Sequence, residues 1–498
     1  MGGCPFFFLF ICGNNFTLLK TRVGTILKFL VKGRGSYMSE KRRDICALVL
    51  SAGKGTRMKS PIPKVLHTLL GEHMLWCVHQ GIMQVIKEDH IFYVLGYMAE
   101  LIENTLSFVR GNVVYQTEQL GTGHALQCAY PHLMKQGFKW CLIVNGDVPL
   151  LDIGRVNSFI EEVIQKRVSM GLMTITLDDP RGYGRIVRDS SGNLLSIVEE
   201  KDISTNEVRG IKEVNAGVYI VNLEGIKDYL NGLTNDNAQK EYYLPQLVEL
   251  LLKDNKEILA KESGNDKAFL GINSGRELIE CEEILRQRII DQAFDSGVVI
   301  YNPSQVRIGP KVKFQTGSVI TGPVELYGDT KIESGVSIDS HVWIKDSEVC
   351  SGTRIYSFSH IEGAIIGPNS KIGPFARLRP GTRLIEGVKV GNFVEVKKSV
   401  LNKGVKASHL TYLGDSFIDK DTNIGAGTIT CNYDGKSKHV THIGKSVFVG
   451  SNTSLVAPVK VGDNALIGAG STITKDVPNG ALAIARGRQK NLNKRIKS

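Results

Sequence analysis

Residues 443–473 read IGKSVFVGSNTSLVAPVKVGDNALIGAGSTI, and an aliphatic residue occupies every sixth position of this stretch. The six positions are Ile443, Val449, Leu455, Val461, Ile467 and Ile473. Six is not a helical period, but it is the length of one flat side of a parallel β-helix, whose interior takes the aliphatic side chain. Glycine often follows that residue and suits the tight corners of such a coil. The stretch therefore predicts a parallel β-helix.

Two earlier runs keep the same period, which makes chance an implausible origin. Their aliphatic positions are Ile320, Leu326, Ile332, Ile338 and Ile344, and then Ile366, Ile372, Leu378, Leu384, Val390 and Val396. The spacing fails around residues 403–413 and again around 433–442. Breaks in a solenoid are usually loops on one face, and loops commonly carry chemistry. We therefore expect functional loops at both breaks.

Residues 45–296 have a different pattern, in which apolar runs alternate with helical stretches. Residues 46–51, 91–95, 113–116 and 140–145 resemble short strands, and residues 75–86 have helical spacing. This alternation predicts βαβ units and a mostly parallel sheet. We thus divide the chain into an N-terminal extension (1–43), an α/β domain (44–275), a charged linker helix (276–297), the β-helix (298–485) and a basic tail (486–498).

The chain has 498 residues, of which 42% are hydrophobic and 22% are charged. This composition is typical of a globular protein. The net charge of +11 suggests anionic partners. The basic tail lacks interleaved aromatic residues, so we expect no nucleic-acid partner. The nine cysteines contain no CxxC pair, which argues against a zinc site and a disulfide framework and favours the reduced thiols of a cytoplasmic protein.

The first 37 residues are excluded from the fold prediction. The apolar run at 6–12 is too short to span a bilayer, and no positive charge precedes it as in a signal peptide. The stretch 23–31 has basic neighbours that would suit a membrane surface. The alternative is that Met38 is the true start. Neither interpretation predicts stable membrane insertion.

The most specific local motif is LSAGKGTRM at residues 50–58, followed by Pro63-Lys64. A glycine-rich turn after a strand lets backbone N–H groups approach phosphate oxygens. Arg57 and Lys64 add positive charge beside it. The motif lacks both the Walker and the GxGxxG spacing, so we predict a phosphate-binding turn of another type.

This motif resembles the signature of the sugar-1-phosphate nucleotidyltransferases. QTEQLGTGH at 116–124, GDVPL at 146–150, GYGR at 182–185 and EEKD at 199–202 extend the resemblance to bacterial bifunctional N-acetylglucosamine-1-phosphate uridylyltransferase/glucosamine-1-phosphate N-acetyltransferases, over about residues 45–487. The resemblance implies an α/β fold class, in which a Rossmann-like nucleotidyltransferase domain is followed by a left-handed parallel β-helix acetyltransferase domain. It also implies a cytoplasmic homotrimer with active sites between subunits.

The implied reactions make UDP-N-acetylglucosamine for peptidoglycan and lipopolysaccharide precursors. Acetyl-CoA is the co-substrate that acetylates glucosamine-1-phosphate at the C-terminal site. UTP then reacts with N-acetylglucosamine-1-phosphate at the N-terminal site, which uses Mg²⁺. Because the sugar phosphate is already a good nucleophile, the second reaction needs mainly positioning and charge neutralisation.

The resemblance also implies roles for residues of the N-terminal half. Arg57 and Lys64 would be catalytic and bind the triphosphate, and Asp147 and Asn273 would hold Mg²⁺. Asp147 follows a predicted strand, where α/β sheets bind ligands. The other expected contacts to UTP or UDP-N-acetylglucosamine are Gln116 and Gly121 at the uracil, Gly184, Glu199 and Asn215 at the sugar, and Leu50, Ala52, Gly53, Thr122, Asn145 and Gly146.

In the C-terminal half, His409 lies in SHLTYLG at 408–414, off the apolar frame, in a predicted polar loop. Arg379 and Lys397 are eighteen residues apart, or one coil of three hexapeptides, so they should share a face. The resemblance makes His409 the general base, for which an imidazole is suited. Arg379, Lys397, Tyr412 and Asn423 would bind the glucosamine phosphate along one edge with it. Acetyl-CoA would contact Ala426, Asn432, Tyr433, Ser451, Ala469 and Arg486.

Two alternatives remain open from the sequence. The chain could be a nucleotidyltransferase for another sugar whose β-helix only oligomerises, as in glucose-1-phosphate adenylyltransferases. It could also be a non-catalytic scaffold like some subunits of eukaryotic translation exchange factors. The segment with His409 and Asn423 argues against the first. The intact glycine-rich turn, Asp147 and His409 argue against the second.

Overall fold

The computed structural model describes residues 43–264 and 267–492, which form two units. The first unit runs to Leu66 and resumes over Met74–Asn273. The second contains His67–His73 and continues from Ser274. The predicted extension lies outside the described residues except for Arg43, and so does the tail after Leu492. Within the described ranges, none of the helices combines the length and apolarity needed to cross a membrane.

The elements up to the end of the first unit alternate as the sequence predicts. In chain order they are β1 (Ile45–Leu50), β2 (Thr68–Leu69), β3 (Glu72–His73), α1 (Met74–Ile82), β4 (Ile91–Leu95), α2 (Ala99–Thr105), β5 (Val113–Tyr115), α3 (Thr122–Lys135), β6 (Trp140–Asn145), α4 (Ile153–Lys166), β7 (Met170–Thr176), β8 (Arg185–Arg188), β9 (Leu194–Val198), α5 (Asn206–Gly210), β10 (Glu213–Asn222), α6 (Lys227–Asn231), α7 (Gln246–Lys253) and β11 (Ile258–Glu262).

The main sheet of the first unit has the order β11-β7-β10-β6-β1-β4-β5, with β8 and β9 attached beside β10. The strands β6, β1, β4 and β5 pair in parallel as predicted. The prediction of a mostly parallel sheet is confirmed, since β11 also pairs in parallel with β7; the exception is β10, which runs antiparallel to both β6 and β7. An antiparallel neighbour needs no crossover helix, and here the antiparallel pair β8–β9 lies within the connection from β7 to β10.

Alternation along β1 divides the core between the two faces of this sheet. Cys46 and Leu48 pack into one apolar cluster, whereas Ile45, Ala47 and Val49 pack into the other. In register, Leu50 at the end of β1 lies beside Asn145 at the end of β6. The segments that follow these two strands therefore meet at the carboxyl edge of the sheet, where ligands bind in such folds.

The second unit begins with a long helix, α8 (Gly275–Asp295), which starts at a capping box made by Ser274 and Glu277. Its strands are β12 (Val299–Tyr301), β13 (Val306–Ile308), β14 (Lys313–Phe314), β15 (Val319–Thr321), β16 (Val324–Tyr327), β17 (Lys331–Ile332), β18 (Ser337–Ile338), β19 (Val342–Lys345), β20 (Glu348–Val349), β21 (Arg354–Ile355), β22 (His360–Glu362), β23 (Ile365–Ile366), β24 (Lys371–Ile372), β25 (Arg377–Leu378), β26 (Arg383–Leu384), β27 (Lys389–Lys397), β28 (Val400–Leu401), β29 (Lys406–Gly414), β30 (Ser416–Ile418), β31 (Asn423–Ile424), β32 (Ile429–Cys431), β33 (Thr441–Ile443), β34 (Phe448–Val449), β35 (Ser454–Val456), β36 (Val459–Val461), β37 (Leu466–Ile467), β38 (Thr472–Ile473) and β39 (Leu482–Ala483).

These strands form a left-handed parallel β-helix with three sides. Side one runs β12-β15-β18-β21-β24-β27-β29-β31-β34-β37-β39, side two runs β13-β16-β19-β22-β25-β27-β29-β32-β35-β38, and side three runs β14-β17-β20-β23-β26-β28-β30-β33-β36. Most successive coils repeat after seventeen or eighteen residues, as when Ile355 pairs with Ile372 and Ile372 with Val390. The predicted aliphatic positions point inward and are almost fully buried.

The two frame breaks differ in structure. The first is not a loop, because β27 and β29 are nine-residue strands that run from side one to side two without interruption. Their corner residues Phe393 and Leu410 have left-handed φ values of 57° and 46°, so the chain bends while its hydrogen-bond ladder continues. The second break is a true excursion, closed by a bridge between Tyr433 and Lys438.

Candidate active sites

A cavity of about 400 Å³ opens at the carboxyl ends of β1 and β6. Its lining includes these residues predicted from the sequence: Leu50, Ala52, Gly53, Arg57, Lys64, Gln116, Gly121, Thr122, Asn145, Asp147, Gly184, Glu199, Asn215 and Asn273. Gly146 is not part of the lining. Its N–H donates to the Leu50 carbonyl at 2.9 Å, and a Cβ there would clash with the Ser51 hydroxyl. Gly146 thus holds the two strand ends together.

The floor of this cavity carries a compact group of cations and oxygen ligands. The Lys64 ammonium contacts Asp147 Oδ2 and donates to Asn273 Oδ1 at 3.1 Å. Arg57 Nη2 donates to the same amide oxygen at 2.7 Å. Asp147 Oδ1 is buried and accepts no hydrogen bond from any residue that the structure describes. A carboxylate with one uncommitted oxygen, beside an amide oxygen, has the hard donors that Mg²⁺ prefers.

The far wall of the cavity holds a buried acid. Burial, together with the smaller effect of the nearby charges of Asp202, Glu241 and Glu200, raises the pKa of the Glu199 carboxyl to about 7. Glu199 lies beside the backbone of Gly184. A Cβ added at Gly184 would lie 3.2 Å from Glu199 Oε1. A group with this pKa changes charge near neutral pH.

Asn215 on β10 is fixed from two directions. Its side-chain amide donates to the hydroxyl of Tyr219, and its Oδ1 accepts the Gly217 N–H at 3.0 Å. Burial raises the pKa of Tyr219 well above its usual range, so this hydroxyl stays neutral. Tyr219 was not predicted from the sequence. The one available indication was that Tyr219 follows Asn215 by four residues on the same long strand.

Gln116 and Gly121 form the opposite end of the cavity, where the sequence predicts nucleobase contacts. Gln116 is almost fully buried, and its Nε2 lies 2.9 Å from the Gly121 carbonyl and 3.1 Å from His124 Nδ1. Gly121 has a φ of 106°, and a Cβ on it would lie 2.6 Å from the Tyr242 carbonyl oxygen. Only glycine fits this position. No role is predicted for His124 from the sequence, although His124 ends the motif at residues 116–124.

His409 lies on strand β29 rather than in the predicted polar loop. It pairs in register with Asn392 on β27, and the imidazole Nδ1 is 2.7 Å from the Asn392 amide oxygen. An amide oxygen only accepts, so in the neutral imidazole the proton is on Nδ1 and Nε2 carries the lone pair. The sequence analysis missed Asn392. Asn392 precedes His409 by seventeen residues, or one coil, and this offset could have identified it.

A basic group lies on side two, next to the corner that carries His409. Arg379 directly follows β25 and donates to Glu395 at 2.8 Å, and Lys397 ends β27 one coil later. The positive charges of Arg379 and Lys438 lower the pKa of the Lys397 ammonium. Positive charges gathered in this way around Lys397 mark a surface that attracts a dianion such as a phosphate.

The remaining predicted residues of this half divide between two sides. Tyr412 pairs with Glu395 and thus lies on side two with the basic group. Asn423 pairs with Lys406 on side one, so the expectation that all five residues line one edge is wrong for Asn423. The pairs Ile424–Val449 and Val449–Ile467 fix the register of the next coils. Two positions after the end of each of these strands, that register stacks Ala426, Ser451 and Ala469 in one column.

The last acetyl-CoA candidates are Arg486, Asn432 and Tyr433. Arg486 Nη1 donates to the Ala469 carbonyl at 2.6 Å. The Asn432 amide donates to Asp415 and is buried, whereas Tyr433 is 61% exposed in the excursion. Arg486 thus contacts the column, whereas Asn432 and Tyr433 directly follow β32 on side two.

Two family models match the chain. The model described as "MobA-like NTP transferase domain" matches residues 47–177, and "Bacterial transferase hexapeptide (six repeats)" matches residues 441–475. The first contains the glycine-rich turn and Asp147. The second coincides with the final regular coils of the β-helix.

Curated relatives match nearly the whole chain. A bifunctional protein GlmU of Oleidesulfovibrio alaskensis is 46% identical over 464 residues, covering 92% of this chain and 99% of the relative. The protein of the same name from Nitratidesulfovibrio vulgaris strain Hildenborough is 47% identical over 454 residues, covering 91% and 99%. That from Carboxydothermus hydrogenoformans is 42% identical over 450 residues, covering 90% and 99%.

Proposed function

The chain belongs to the GlmU family of bifunctional proteins, and from this premise we propose how its two sites produce UDP-N-acetylglucosamine. The C-terminal site transfers an acetyl group from acetyl-CoA to the amine of glucosamine-1-phosphate. The N-terminal site then transfers a uridylyl group from UTP to the product and releases pyrophosphate. The observation that carries the proposal is that Lys64–Asp147–Asn273 and His409–Asn392 occur on one chain in separate units.

At the N-terminal site, a phosphate oxygen of N-acetylglucosamine-1-phosphate attacks the α-phosphorus of UTP, and the bond from that phosphorus to the β-phosphate oxygen breaks. Arg57 and Lys64 hold the triphosphate and offset the negative charge that develops on the departing pyrophosphate. Asn273 supports both cations through one amide oxygen. Asn215 and Glu199 orient the acetamido sugar from the far wall, because they present fixed polar groups to the same cavity.

Mg²⁺ belongs to this proposal because the residues present suit it. Asp147 and Asn273 would hold the ion, and the uncommitted Oδ1 of Asp147 supports that assignment. When bound, the ion supplies additional positive charge for the phosphates.

At the C-terminal site, His409 Nε2 takes a proton from the ammonium or amine of glucosamine-1-phosphate. The amine nitrogen attacks the thioester carbonyl, the carbon–sulfur bond breaks, and coenzyme A leaves as the thiol after protonation. Arg379 and Lys397 bind the phosphate, and Tyr412, on the same side of the β-helix, orients the sugar. Coenzyme A lies along the column of Ala426, Ser451 and Ala469, bounded by Asn432, Tyr433 and Arg486.

We test the function by incubating the purified protein with glucosamine-1-phosphate, acetyl-CoA, UTP and Mg²⁺, and measuring UDP-N-acetylglucosamine by chromatography. Free thiol release and pyrophosphate release report the two half-reactions separately. Glucose-1-phosphate with ATP serves as the alternative substrate pair. Absence of either half-reaction from folded protein, or a preference for the alternative pair, would overturn the proposal.

The proposal includes a homotrimer, supported by an exposed aromatic column at the corner between sides one and two. The rings of His341, Phe358, Phe375 and Phe393 stack with centroid distances of 4.7, 4.8 and 5.1 Å. The three phenylalanines are 45–56% exposed. A continuous apolar edge of this kind is typical of a self-association surface. Light scattering should give a trimer, and Phe375→Asp should reduce it to a monomer if this edge is the contact.

A cytoplasmic location and a supply role in cell-wall synthesis complete the proposal. Cys46, Cys128, Cys141, Cys350 and Cys431 are free thiols, which suits a reducing compartment. A conditional mutant depleted of this protein should show cell-shape defects. Growth with normal cell shape during depletion would contradict the cell-wall role.

A further inference from the structure

The amide of Gln116 has both of its N–H groups committed. A carbonyl oxygen only accepts, so the Gln116 atom 2.9 Å from the Gly121 oxygen is the nitrogen. Its second N–H faces His124 Nδ1 at 3.1 Å, which must therefore accept. The proton of the neutral His124 ring is then on Nε2, 3.6 Å from the Cys128 sulfur. The four groups form one consistent chain of donors and acceptors.

Two groups are left to face the cavity at this end. Gln116 Oε1 is an acceptor and the Gly121 N–H is a donor, and neither has a hydrogen-bond partner in the part of the chain that the structure describes. An acceptor beside a donor complements the N3–H and adjacent carbonyl of uracil. With Gln116 Oε1 facing N3 and the Gly121 N–H facing O4, the same pair opposes cytosine, which presents an acceptor at N3 and an amine donor at N4.

We propose that His124 is a specificity-determining positioning residue, whose Nδ1 lone pair fixes the Gln116 amide so that the site accepts uracil and rejects cytosine. This inference deepens the proposed uridylyl transfer and rests on it. Without an acceptor at His124, one N–H of Gln116 becomes available to a nucleobase. The amide can then turn its nitrogen toward the N3 acceptor of cytosine.

The test compares kcat/KM for UTP and CTP, with N-acetylglucosamine-1-phosphate, in His124→Leu and His124→Asn. These two side chains have nearly the same size, but only asparagine places an amide oxygen where Nδ1 lies. Loss of one neutral hydrogen bond predicts that the UTP/CTP ratio falls about two- to tenfold in the leucine variant. The asparagine variant should keep the ratio of the unaltered enzyme.

His132→Leu is the matched control, because His132 lies eight residues further along α3 and outside the cavity lining. Its ratio should not change. If the leucine and asparagine variants shift the ratio equally, His124 is merely structural and the inference is wrong. An unchanged ratio in folded His124→Leu also overturns it. If His124→Leu does not fold by circular dichroism, His124→Ala takes its place under the same criteria.

The outcome separates this inference from the function on which it rests. An unaltered enzyme that releases no pyrophosphate from UTP contradicts the proposed function itself. An active enzyme whose UTP/CTP ratio is insensitive to His124 contradicts only the positioning role.

Discussion

Replacing Glu199 with Gln is expected to stabilise the first unit strongly at pH 8 and weakly at pH 5. Burial raises the pKa of this carboxyl from 4.5 to about 7. Because the folded-state pKa lies above the unfolded value, the folded state binds the proton more tightly. The stability that Glu199 contributes is therefore fully present below about pH 4.5 and is lost as the pH rises through 7.

The size of the effect follows from that difference in pKa. Each pKa unit corresponds to about 1.4 kcal/mol, so an ionised Glu199 destabilises the folded state by about 3 kcal/mol at pH 8. At pH 5 the same relation gives about 1 kcal/mol. Glutamine mimics the protonated carboxyl without titrating. Glu199→Gln should thus raise the free energy of unfolding of the first unit by these amounts.

The assay is denaturant unfolding followed by tryptophan fluorescence in a Trp343→Phe background. The other two of the three tryptophans, Trp76 and Trp140, lie in the first unit, so the signal reports that unit. Glu207→Gln, at an exposed carboxyl on α5, is the control and should change stability little at either pH. Equal stabilisation at both pH values, or destabilisation at pH 8, would refute the reasoning. A variant that is more stable but poorer in uridylyl transfer would identify Glu199 as an acid retained for binding.

Three further outcomes are expected. Asn392→Leu should slow acetyl transfer about tenfold and leave uridylyl transfer unchanged, because the catalytic imidazole loses its orienting acceptor. Thiol release and pyrophosphate release, measured on one preparation, report the two rates. An unchanged rate of acetyl transfer would contradict the prediction. Gly121→Ala should raise the KM for UTP at least about tenfold, since a Cβ there would lie 2.6 Å from a backbone oxygen. Steady-state kinetics measure this KM, and an unchanged value would disprove the prediction. Ile372→Ala, at a fully buried coil position, should lower the free energy of unfolding of the second unit by about 2–5 kcal/mol. Ile365→Ala, at an exposed position, should lower it by under about 1 kcal/mol. Similar losses for the two variants in chemical unfolding would argue against a packed interior.

The β-helix could be predicted because each coil repeats one local environment. A residue such as Ile372 meets the same inward position as Ile355 and Val390, so a six-residue period is visible without knowledge of distant contacts. The carboxyl edge of the first sheet was also accessible, since Leu50 and Asn145 end neighbouring parallel strands.

The features that escaped prediction depend on contacts between distant segments. The antiparallel direction of β10 follows from the excursion through β8 and β9, which no local period marks. The bond from His409 to Asn392 requires the exact coil length, and the long strands at that corner replaced an expected loop. The raised pKa of Glu199 depends on burial beside Asp202 and Glu241, which lies far along the chain.

The central claim, that two independent sites act in sequence, is tested most directly by complementation between single-site variants. His409→Ala and Asp147→Ala are each supplied with glucosamine-1-phosphate, acetyl-CoA, UTP and Mg²⁺, alone and as a mixture. Each variant alone should form no UDP-N-acetylglucosamine, while the mixture should form it, because acetylated sugar phosphate released by one variant is the substrate of the other. A mixture that stays inactive, although both variants are folded, would contradict the two-site account.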